Sequence, residues 1–357
     1  MRKRLLQADA LLGSLSNQLP FSAVNPDNAS RIRSRFLKKP FEPVFSYGDL
    51  PSCSPIIDSL ASLRCGSWTY GRLLEQERLF LLKKAALTEA IGTPAFGKHS
   101  VSVYGLPSKA LVDRAYELLT LDPVVEDAKM SYVSVRKLLA ETFKKLGFRY
   151  AIRRKNMVAS ALLDNNKKVL HLCEKTRFSK TFAYRLATHE IATHALRAEN
   201  GQLQKLSLFT RGTPEYLATE EGLAAYNEER AGVMTPNILR SYAGRVIAIH
   251  LSQTLSFTEV FSELSKFFPP KDSYTLTLRA KRGLAHGSDL GACTKDYLYL
   301  DGYFQIKKYV SNGGDLRDIY AAKISISEAK KLRSKLIPAK HIPEPVIEWV
   351  RHEQFFR

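Results

Sequence analysis

The sequence predicts an α+β fold that is predominantly helical and carries one small antiparallel sheet. The chain has 357 residues, of which 45% are hydrophobic and 25% charged, so it can bury a sizeable core. Apolar residues recur at three- and four-residue steps in many segments, as they do in amphipathic helices. The clearest β pattern is the pair of runs 157–163 and 168–172 around Asp164-Asn165-Asn166, which are hairpin turn residues.

Helices are predicted where this spacing is bounded by a capping residue, a glycine or a proline. The predicted helices cover residues 3–19, 30–38, 71–91, 107–119, 134–146 and 179–200, a segment ending near Arg230, two segments within 236–267, and residues 315–320 and 327–336. Ser134 and Ser179 are expected N-caps, and Asn200-Gly201 is an expected helix end. Thr213 or Thr219 is expected to cap the helix that ends near Arg230.

Three further segments are predicted to be non-helical. Val101–Gly105 has the composition of a short strand or turn, and residues 273–281 alternate apolar with polar side chains, which is typical of a strand. Residues 282–296 form a glycine-rich loop that matches neither a P-loop nor a dinucleotide-binding pattern. Nucleotide binding is therefore not expected.

The charge balance is unusual, because 54 basic residues oppose 35 acidic ones and give a net charge of +19. Such a charge attracts polyanions, which include nucleic acid, an anionic membrane surface and an acidic peptide tail. A generic basic surface is the alternative. The basic residues are spread along the chain without long runs, which argues against a nucleic-acid-binding arm.

The cysteines indicate a reducing compartment. Cys53, Cys65, Cys173 and Cys293 lie far apart and form no CxxC pair, so we expect reduced thiols. No apolar run approaches the length of about eighteen residues that a membrane span needs. Polar residues interrupt the N-terminus before a signal-peptide core can form. We expect a cytoplasmic protein, with a transit peptide in residues 1–40 as the alternative.

One motif has the composition of a metal site. His189 and His194 flank Glu190, and the segment TEEGLA further along the chain offers another carboxylate from Glu220 or Glu221. Two imidazoles and a carboxylate can supply three zinc ligands, and the remaining glutamate can act as a general base. There is a structural alternative, since His189 continues an apolar helical stripe and the glutamates of this region can form a solvated helix face.

The spacing of the two histidines has a structural consequence. They are five residues apart, and an ideal α-helix would separate their directions by about 140°. Two side chains placed in this way cannot bind one ion. A π-bulge, with its i→i+5 hydrogen bonds, would return both to one face. The metal hypothesis therefore predicts an irregular helix between His189 and His194.

At these residues the chain resembles a known family. The stretch HEIATHALRAENGQ followed by TEEGLA is similar to the microtubule-associated tyrosine carboxypeptidase family, whose bacterial relatives are known for a QEGLA motif. The similarity continues through residues 277–283 and 294–300 and covers most of residues 50–325. Glu220 stands where many bacterial members carry glutamine, whereas animal members also have glutamate.

The resemblance implies a zincin-like metallopeptidase domain with its small sheet beside the metal-binding helix. It implies one Zn²⁺ held by His189, His194 and Glu221, with Glu190 activating the metal-bound water. The implied domains are an N-terminal helix with a proline-rich wrapping segment, a helical subdomain, a zinc peptidase catalytic domain and a C-terminal tail, at residues 1–55, 56–150, 151–336 and 337–357. The wrapping segment is broken by Pro20, Pro26, Pro40, Pro43, Pro51 and Pro55.

The resemblance also implies a substrate. Animal members of the family remove the C-terminal tyrosine of α-tubulin, whose tail is acidic, and a net charge of +19 suits such a tail. We expect release of a C-terminal aromatic residue from a peptide or protein. Arg282 and Lys295 are candidates for holding the terminal carboxylate, with Tyr299 as a polar aromatic contact. Arg197 is a further candidate, unless it forms a buried ion pair.

Two alternatives stay open from the sequence. The same residues would serve a zinc endopeptidase or aminopeptidase. Alternatively, the chain is a non-catalytic module that binds polyanions or microtubules.

Gly222 is predicted to allow close approach of the two helices that carry the ligands, because a side chain there would obstruct them. The hairpin before the motif is expected to offer an edge strand to an extended substrate, or to be structural only.

Overall fold

The computed structural model describes residues 2–19, 21–50, 52–66, 69–125, 129–157 and 159–355. By its packing the chain divides into two compact units. The first unit combines Met1–Leu121 with Leu239–Leu300, and the second combines Asp122–Ile238 with Asp301–Arg357. The predicted functional boundaries at residues 55, 150 and 336 stay a prediction.

The helices of Met1–Leu121 largely follow the predicted pattern. They are α1 (Arg2–Asn17), a 3₁₀-helix (Phe21–Val24), α2 (Ala29–Phe36), α3 (Ser54–Ser62), α4 (Thr69–Glu89), α5 (Phe96–Tyr104) and α6 (Lys109–Leu119). The four helices predicted here are confirmed. Pro20 and Pro51, two of the predicted breaks, lie outside the described residues.

The prediction of a strand or turn at Val101–Gly105 is wrong, because α5 extends to Tyr104. Phe96, Gly97 and Ser100 are buried at helical spacing on this segment. The packing of this face outweighs the β preference of its valines, which is a context-dependent quantity. Only Gly105, at φ +80°, leaves the helical conformation.

The segment Asp122–Ile238 contains all the strands of the described chain. The elements are β1 (Lys129–Met130), α7 (Tyr132–Lys145), β2 (Ala151–Lys155), β3 (Ala161–Asp164), β4 (Val169–Cys173), β5 (Phe178–Ser179), α8 (Lys180–Leu186), a π-helix (Ala187–Ala195), α9 (Leu196–Gln202), α10 (Leu208–Arg211) and α11 (Tyr216–Arg230). β1 pairs with β5, and the other sheet has the strand order β2-β4-β3.

The predicted hairpin is confirmed in its antiparallel pair β3–β4, in which Asp164 lies opposite Val169. Val158, within the predicted first run, lies outside the described residues. β2 pairs with β4 in parallel, which the sequence does not reveal, because its exposed and charged residues lack a clear alternation. The fold class, predominantly helical with small sheets, is confirmed.

The remaining helices follow from α12 onwards, which begins three residues before Leu239. They are α12 (Pro236–Ser252), α13 (Phe257–Leu264), α14 (Pro270–Lys281), a 3₁₀-helix (Thr294–Tyr297), α15 (Leu298–Ser311), α16 (Leu316–Tyr320), α17 (Ile326–Leu332) and α18 (Glu344–Phe355). The last two residues of the predicted tail lie outside the described residues. No helix in the described ranges is long and apolar enough to cross a membrane.

The prediction of a strand at residues 273–281 is wrong, because this segment lies inside α14. Tyr274 is fully buried and packs its ring against Phe36 and Phe257, so it belongs to an aromatic cluster of the first unit. Thr277 bonds through its hydroxyl to the Ser273 carbonyl, one helical turn back. The apparent alternation arises from threonines and a tyrosine whose β preference is overridden by this packing.

Several helix boundaries also differ from the predicted ones. Ser131, rather than Ser134, caps α7 and accepts a hydrogen bond from the Ser134 amide at 3.1 Å. α9 continues through Asn200 and Gly201, so the predicted end is wrong. Neither threonine caps α11, whose N-cap position is occupied by Glu215 without a side-chain bond. Ser179 is confirmed as the N-cap of α8.

Candidate metal centre

The segment that carries the two histidines is one helical rod with a widened middle. α8 runs into the π-helix at Ala187 and α9 continues from Leu196. The hydroxyl of Thr193 bonds to the carbonyl of Thr188, five residues earlier, at 3.1 Å. The predicted irregularity between His189 and His194 is therefore confirmed, and it brings both side chains to one face.

The π-helix lies at the centre of the second unit and packs against α7, α11, α18 and β3. Its widened turn is held from α11, where the Asn227 amide donates to the Thr193 hydroxyl at 2.9 Å and to the Tyr320 hydroxyl. Tyr320 in turn donates to the Ala192 carbonyl at 3.3 Å. These buried bonds satisfy polar groups that a π-helix leaves in an irregular arrangement.

The structure brings together the three predicted ligands. Potential ligand atoms of His189, His194 and Glu221 all lie within 4.8 Å of one another. Oε2 of Glu221 is 3.6 Å from Nε2 of His189 and 3.7 Å from Nε2 of His194. The two imidazole rings are nearly perpendicular, with centroids 4.7 Å apart. Two imidazole nitrogens and a carboxylate oxygen that converge in this way are a donor set that zinc accepts.

The second nitrogen of each imidazole is hydrogen-bonded to a glutamate of α11. Nδ1 of His189 lies 2.7 Å from Oε1 of Glu228, and Nδ1 of His194 lies 2.9 Å from Oε1 of Glu220. These bonds direct the Nε2 atoms of both rings towards Glu221. Carboxylates that orient histidines in this way are typical of metal sites, because they fix the ring and raise the basicity of the ligand nitrogen.

Sequence reasoning did not assign either orienting role. Glu220 appears there only as a variable position of the TEEGLA segment, and Glu228 only as one of several nearby glutamates. A pattern could have found Glu228, since it follows Glu221 by seven residues and so lies on the same face of α11. Glu220 has no such periodicity with Glu221, and its role depends on the direction from which the π-helix approaches.

Glu220 is held as a carboxylate by two cations of the second unit. Its oxygens lie 2.5 Å from Nη1 of Arg197 and 2.8 Å from Nζ of Lys323. Burial would raise the pKa of Glu220, but the charges of Lys323 and Arg197 hold it well below its usual range. Arg197 is fully buried and also donates to the carbonyls of Ile319, Ala322 and Ile324. The structure therefore assigns Arg197 to a buried ion pair.

The electrostatics around His189 favour a cation. Glu228 is fully buried and forms an ion pair with Arg185 at 3.1 Å, but Glu221 and Glu190 add further negative charge. Burial disfavours a charged imidazole, yet hydrogen bonds to Glu221 and Glu228 raise the pKa of His189 to about 10. A site that attracts a proton so strongly also attracts a metal cation. The residues present therefore fit a divalent ion.

Gly222 allows a close helix approach, but not the predicted one. A Cβ atom at Gly222 would overlap the backbone of Gly302 on α15, and one at Gly302 would overlap the carbonyl of Ala218. The prediction that Gly222 accommodates the other ligand helix is therefore wrong. The glycine pair instead allows α15 to approach α11 closely. Other side chains of α11, those of Glu220 and Glu228, bond to the two histidines.

The three residues nominated for substrate binding lie in the first unit, whereas the three metal-ligand candidates lie in the second. Arg282 forms an ion pair with Asp296 at 3.3 Å. Lys295 is half-buried on the 3₁₀-helix, and Tyr299 is half-buried with its ring stacked on Tyr242 at 5.5 Å. Their role in substrate binding stays a prediction.

The fold and the site together define a predominantly helical protein whose candidate metal centre, a His–His–Glu cluster, is built on the π-helix and α11. The chain belongs to the microtubule-associated tyrosine carboxypeptidase family, whose model matches residues 56–353. Microtubule-associated tyrosine carboxypeptidase 1 of Rattus norvegicus is 33% identical over 127 residues, which cover 34% of this chain and 26% of the relative.

Two human relatives show the same extent of similarity. Microtubule-associated tyrosine carboxypeptidase 1 and MATCAP2 of Homo sapiens are each 32% identical over 126 residues. These residues cover 34% of this chain in both cases, and 26% and 24% of the two relatives. The matched stretch therefore spans about a quarter of the length of these curated relatives.

Proposed function

We propose that this protein is a zinc-dependent carboxypeptidase that removes a C-terminal residue, preferably tyrosine or another aromatic residue, from a peptide or an acidic protein tail. The observation that carries the proposal is the convergence of Nε2 of His189, Nε2 of His194 and Oε2 of Glu221. The family supports the reaction class, since its relatives are named tyrosine carboxypeptidases.

The three converging atoms would hold one Zn²⁺. When bound, zinc would polarise the scissile carbonyl and make a water molecule more acidic. Glu228 and Glu220 would hold both imidazoles in the tautomer that leaves Nε2 available as a ligand. The ion pairs of Glu220 with Arg197 and Lys323 would keep that carboxylate charged, so it would continue to orient His194.

Glu190 would act as the general base. Its side chain is half-buried, follows the first ligand directly, and is close enough for its charge to affect His189. A carboxylate in this position can take a proton from the attacking water and deliver it to the leaving amine. Peptide hydrolysis needs both transfers, because the amine is a poor leaving group until it is protonated.

The substrate would be extended and negatively charged. β3 pairs only with β4 among the described strands and packs beside the π-helix, so its other edge is not used in strand pairing. A peptide that adds to this edge would be held by main-chain hydrogen bonds. The net charge of +19 favours an acidic tail, and the family name points to a microtubule-associated substrate such as a tubulin-like C-terminus.

The proposed compartment is the cytoplasm. The four cysteines are buried and form no disulfide with one another. Free thiols of this kind persist in a reducing environment. Microtubule-associated relatives support the same compartment.

The decisive experiment combines metal analysis with Glu190→Gln. We expect the purified protein to contain zinc and to shorten peptides with a free C-terminal tyrosine. Glu190→Gln should retain zinc and lose about 10²- to 10⁴-fold in kcat, the usual contribution of a general base. Glu215→Gln, an exposed glutamate at the start of α11, is the matched control and should keep full activity.

The products distinguish the other candidate functions. Internal cleavage, or trimming from the amino end, would replace the carboxypeptidase with an endopeptidase or aminopeptidase. Absence of both metal and cleavage, together with salt-sensitive binding to an acidic polymer, would identify a non-catalytic binding module. A panel of peptides that differ only in their last residue would measure the preference for aromatic side chains.

A further inference from the structure

The π-helix is a conformation that its own composition does not require. Residues 187–195 contain no glycine or proline, and an ordinary α-helix is the default for such a segment because π-helices are rare. In that α-helix the directions of His189 and His194 would differ by about 140°. Only the widened form directs both imidazoles at Glu221, so something outside the segment has to favour it.

Three buried polar side chains bond to the widened turn and to one another, and we call them the clamp. They are Thr193, Asn227 and Tyr320, each at most 1% exposed. The Asn227 amide donates to the Thr193 hydroxyl at 2.9 Å and to the Tyr320 hydroxyl. Tyr320 donates to the carbonyl of Ala192 at 3.3 Å, and Thr193 donates to that of Thr188 at 3.1 Å. The clamp therefore contacts the backbone of the π-helix at two points between the histidines.

The bond that Thr193 makes is specific to the widened form. Buried threonines in the α-helices of this chain donate to the carbonyl four residues back, as Thr142 of α7 and Thr277 of α14 do. Thr193 donates five residues back instead. In an α-helical segment this hydroxyl would turn to a different carbonyl and leave the position from which it accepts the Asn227 amide.

The Asn227 amide is oriented by a third partner. Nη1 of Arg230 donates to its Oδ1 at 3.3 Å, which turns the amide nitrogen towards Thr193 and Tyr320. Nη2 of Arg230 also forms an ion pair at 3.0 Å with Glu344, the first residue of α18. Burial raises the pKa of Tyr320, so its hydroxyl stays protonated and able to donate. Side chains of α11, α16 and α18 thus act together on one turn.

The clamp distinguishes the two helical forms energetically. A network can shift an equilibrium only through interactions that differ between the two states. If the segment became α-helical, the Asn227 amide and the Tyr320 hydroxyl would lose partners while they remain buried. A buried polar group without a partner costs more than the net gain of the bond itself. The widened form satisfies all of these groups.

We propose that the clamp of Thr193, Asn227 and Tyr320 selects the widened form of the π-helix and thereby positions His189 and His194 for one metal ion. The metal part of this inference rests on the proposed zinc site. The three are positioning residues, because they act through the histidines. The apparent zinc affinity should fall with the fraction of the chain in the widened form, and bound zinc should in turn stabilise that form.

The test compares variants that remove one hydroxyl and keep the shape of the side chain. Thr193→Val and Tyr320→Phe should each lower zinc affinity about tenfold in competition with a chelator. In the metal-free protein, amide hydrogen exchange within Ala187–Ala195 should become about tenfold faster. Added zinc should slow it again. Thr193→Ser, which keeps the hydroxyl, should recover most of both losses.

The matched controls remove equivalent hydroxyls elsewhere in the second unit. Thr142→Val deletes an equally buried hydroxyl that bonds to the Leu138 carbonyl at 2.8 Å. Tyr309→Phe deletes one that bonds to the Asp315 carbonyl at 2.9 Å. Both should lower the melting temperature but leave zinc affinity and exchange in the π-helix unchanged. Circular dichroism checks folding, and Tyr320→Phe carries the test if Thr193→Val does not fold.

Unchanged exchange within Ala187–Ala195 in the folded clamp variants would overturn the proposal. Faster exchange with unchanged zinc affinity would show that the clamp holds the turn but does not position the histidines. Loss of zinc affinity in the control variants as well would reduce the effect to general stability.

The measurements also separate this inference from the proposed function. A parent protein that binds no zinc would contradict the metal site, while exchange in the metal-free protein still tests whether the clamp selects the widened form. A protein that binds zinc and responds to the clamp variants as expected, but cleaves no peptide, would contradict only the carboxypeptidase.

Discussion

The candidate metal centre and the group that Asp296 forms with Arg245, Arg279, Arg282 and Lys295 (the Asp296 cluster) both gather charged groups in a partly buried setting. Around His189 and His194 the glutamates of α11 dominate, and a cation is favoured. Around Asp296, three arginines and a lysine surround one buried carboxylate and hold its pKa well below its usual range. In both places much of the charge is paired internally, as Glu220 is with Arg197 and Arg279 is with Asp296.

The two regions also differ in how rigidly their groups are held. At the metal centre each imidazole has a fixed carboxylate partner, and the π-helix itself is tied to Asn227 and Tyr320. In the Asp296 cluster Arg245 packs on the rings of Tyr242 and Tyr299, and its Nε and Nη1 atoms have no hydrogen-bond partner among the described residues. A metal ion needs its donors within about 0.2 Å of their ideal distances, so the carboxylates that fix the two imidazoles matter most at the candidate metal centre. This comparison leads to three predictions.

The largest effect is expected from Glu228→Gln. The change keeps the shape of the side chain but removes the negative charge that orients His189 at 2.7 Å. Loss of such a partner typically lowers metal affinity by about 10- to 100-fold. The measurement is competition for zinc against a chelator of known affinity. Glu229→Gln, on the same helix and in a partly exposed ion pair with Lys307, is the control.

An unchanged zinc affinity in Glu228→Gln would show that the orienting bond does not tune the site. The contrast in rigidity between the candidate metal centre and the Asp296 cluster would then lose its basis. Reduced affinity in Glu229→Gln as well would point to the overall charge of α11 instead.

A smaller effect, on stability, is expected from Gly222→Ala. The added methyl group would overlap the backbone of Gly302, and overpacking of this kind costs about 1–3 kcal/mol. Because Gly222 follows Glu221 directly, a shift of α11 should also weaken zinc binding. Thermal unfolding and zinc competition measure the two effects. Gly147→Ala is the comparison, since nothing lies within 4 Å of its Cβ position and only its φ of +73° is strained.

A Gly222→Ala protein with the stability of the parent would contradict the close contact between α11 and α15. Stability lost without any loss of zinc affinity would show that the crossing supports the fold and does not position Glu221.

The smallest effect, when measured per pH unit, is expected from the pH dependence of Lys281, a buried cation whose charge is satisfied. Its Nζ donates to the carbonyls of Leu255 and Asp289 at 2.7 Å, and burial lowers its pKa to about 8. The unfolded lysine titrates near 10.4, so between these values the unfolded chain binds more protons. The free energy of unfolding should therefore rise with pH in this window, by at most about 1.4 kcal/mol per pH unit.

Lys281→Met should remove this contribution, and the difference between parent and variant in denaturant melts from pH 7 to 10.5 isolates it. A difference independent of pH would mean that Lys281 keeps its ordinary pKa. It would then be held by its carbonyl partners without a burial penalty, which would also weaken the argument that burial lowers the pKa of Arg245.

Much of the metal centre could be predicted from local sequence. The pair His189 and His194, the base candidate Glu190 and the need for a widened helix all follow from spacing within one helical segment. Glu221 was predicted as the third ligand from the family resemblance at the segment TEEGLA, and not from helical periodicity. The partners Glu220 and Glu228 could not be assigned, because their roles depend on how α11 crosses the π-helix.

The errors in the fold have a common origin. Residues 101–105 and 273–281 are rich in valine, threonine and tyrosine, which favour strands where packing does not decide. Here packing did decide, since the buried positions of α5 and α14 recur at helical steps. Gly222 was expected to serve the two ligand helices and instead meets Gly302, which is eighty residues further along the chain.

By itself the sequence determined the helical character of the chain, the β3–β4 hairpin and the i→i+5 geometry at the histidines, because these depend on neighbours within a few residues. Only the tertiary structure decided which glutamates orient the imidazoles, which helix Gly222 accommodates, and that Arg245 lies beside an already shared carboxylate. Hydrogen bonds, overlaps and uncompensated charges depend on distances between segments remote in sequence. Residue spacing along one segment does not contain those distances.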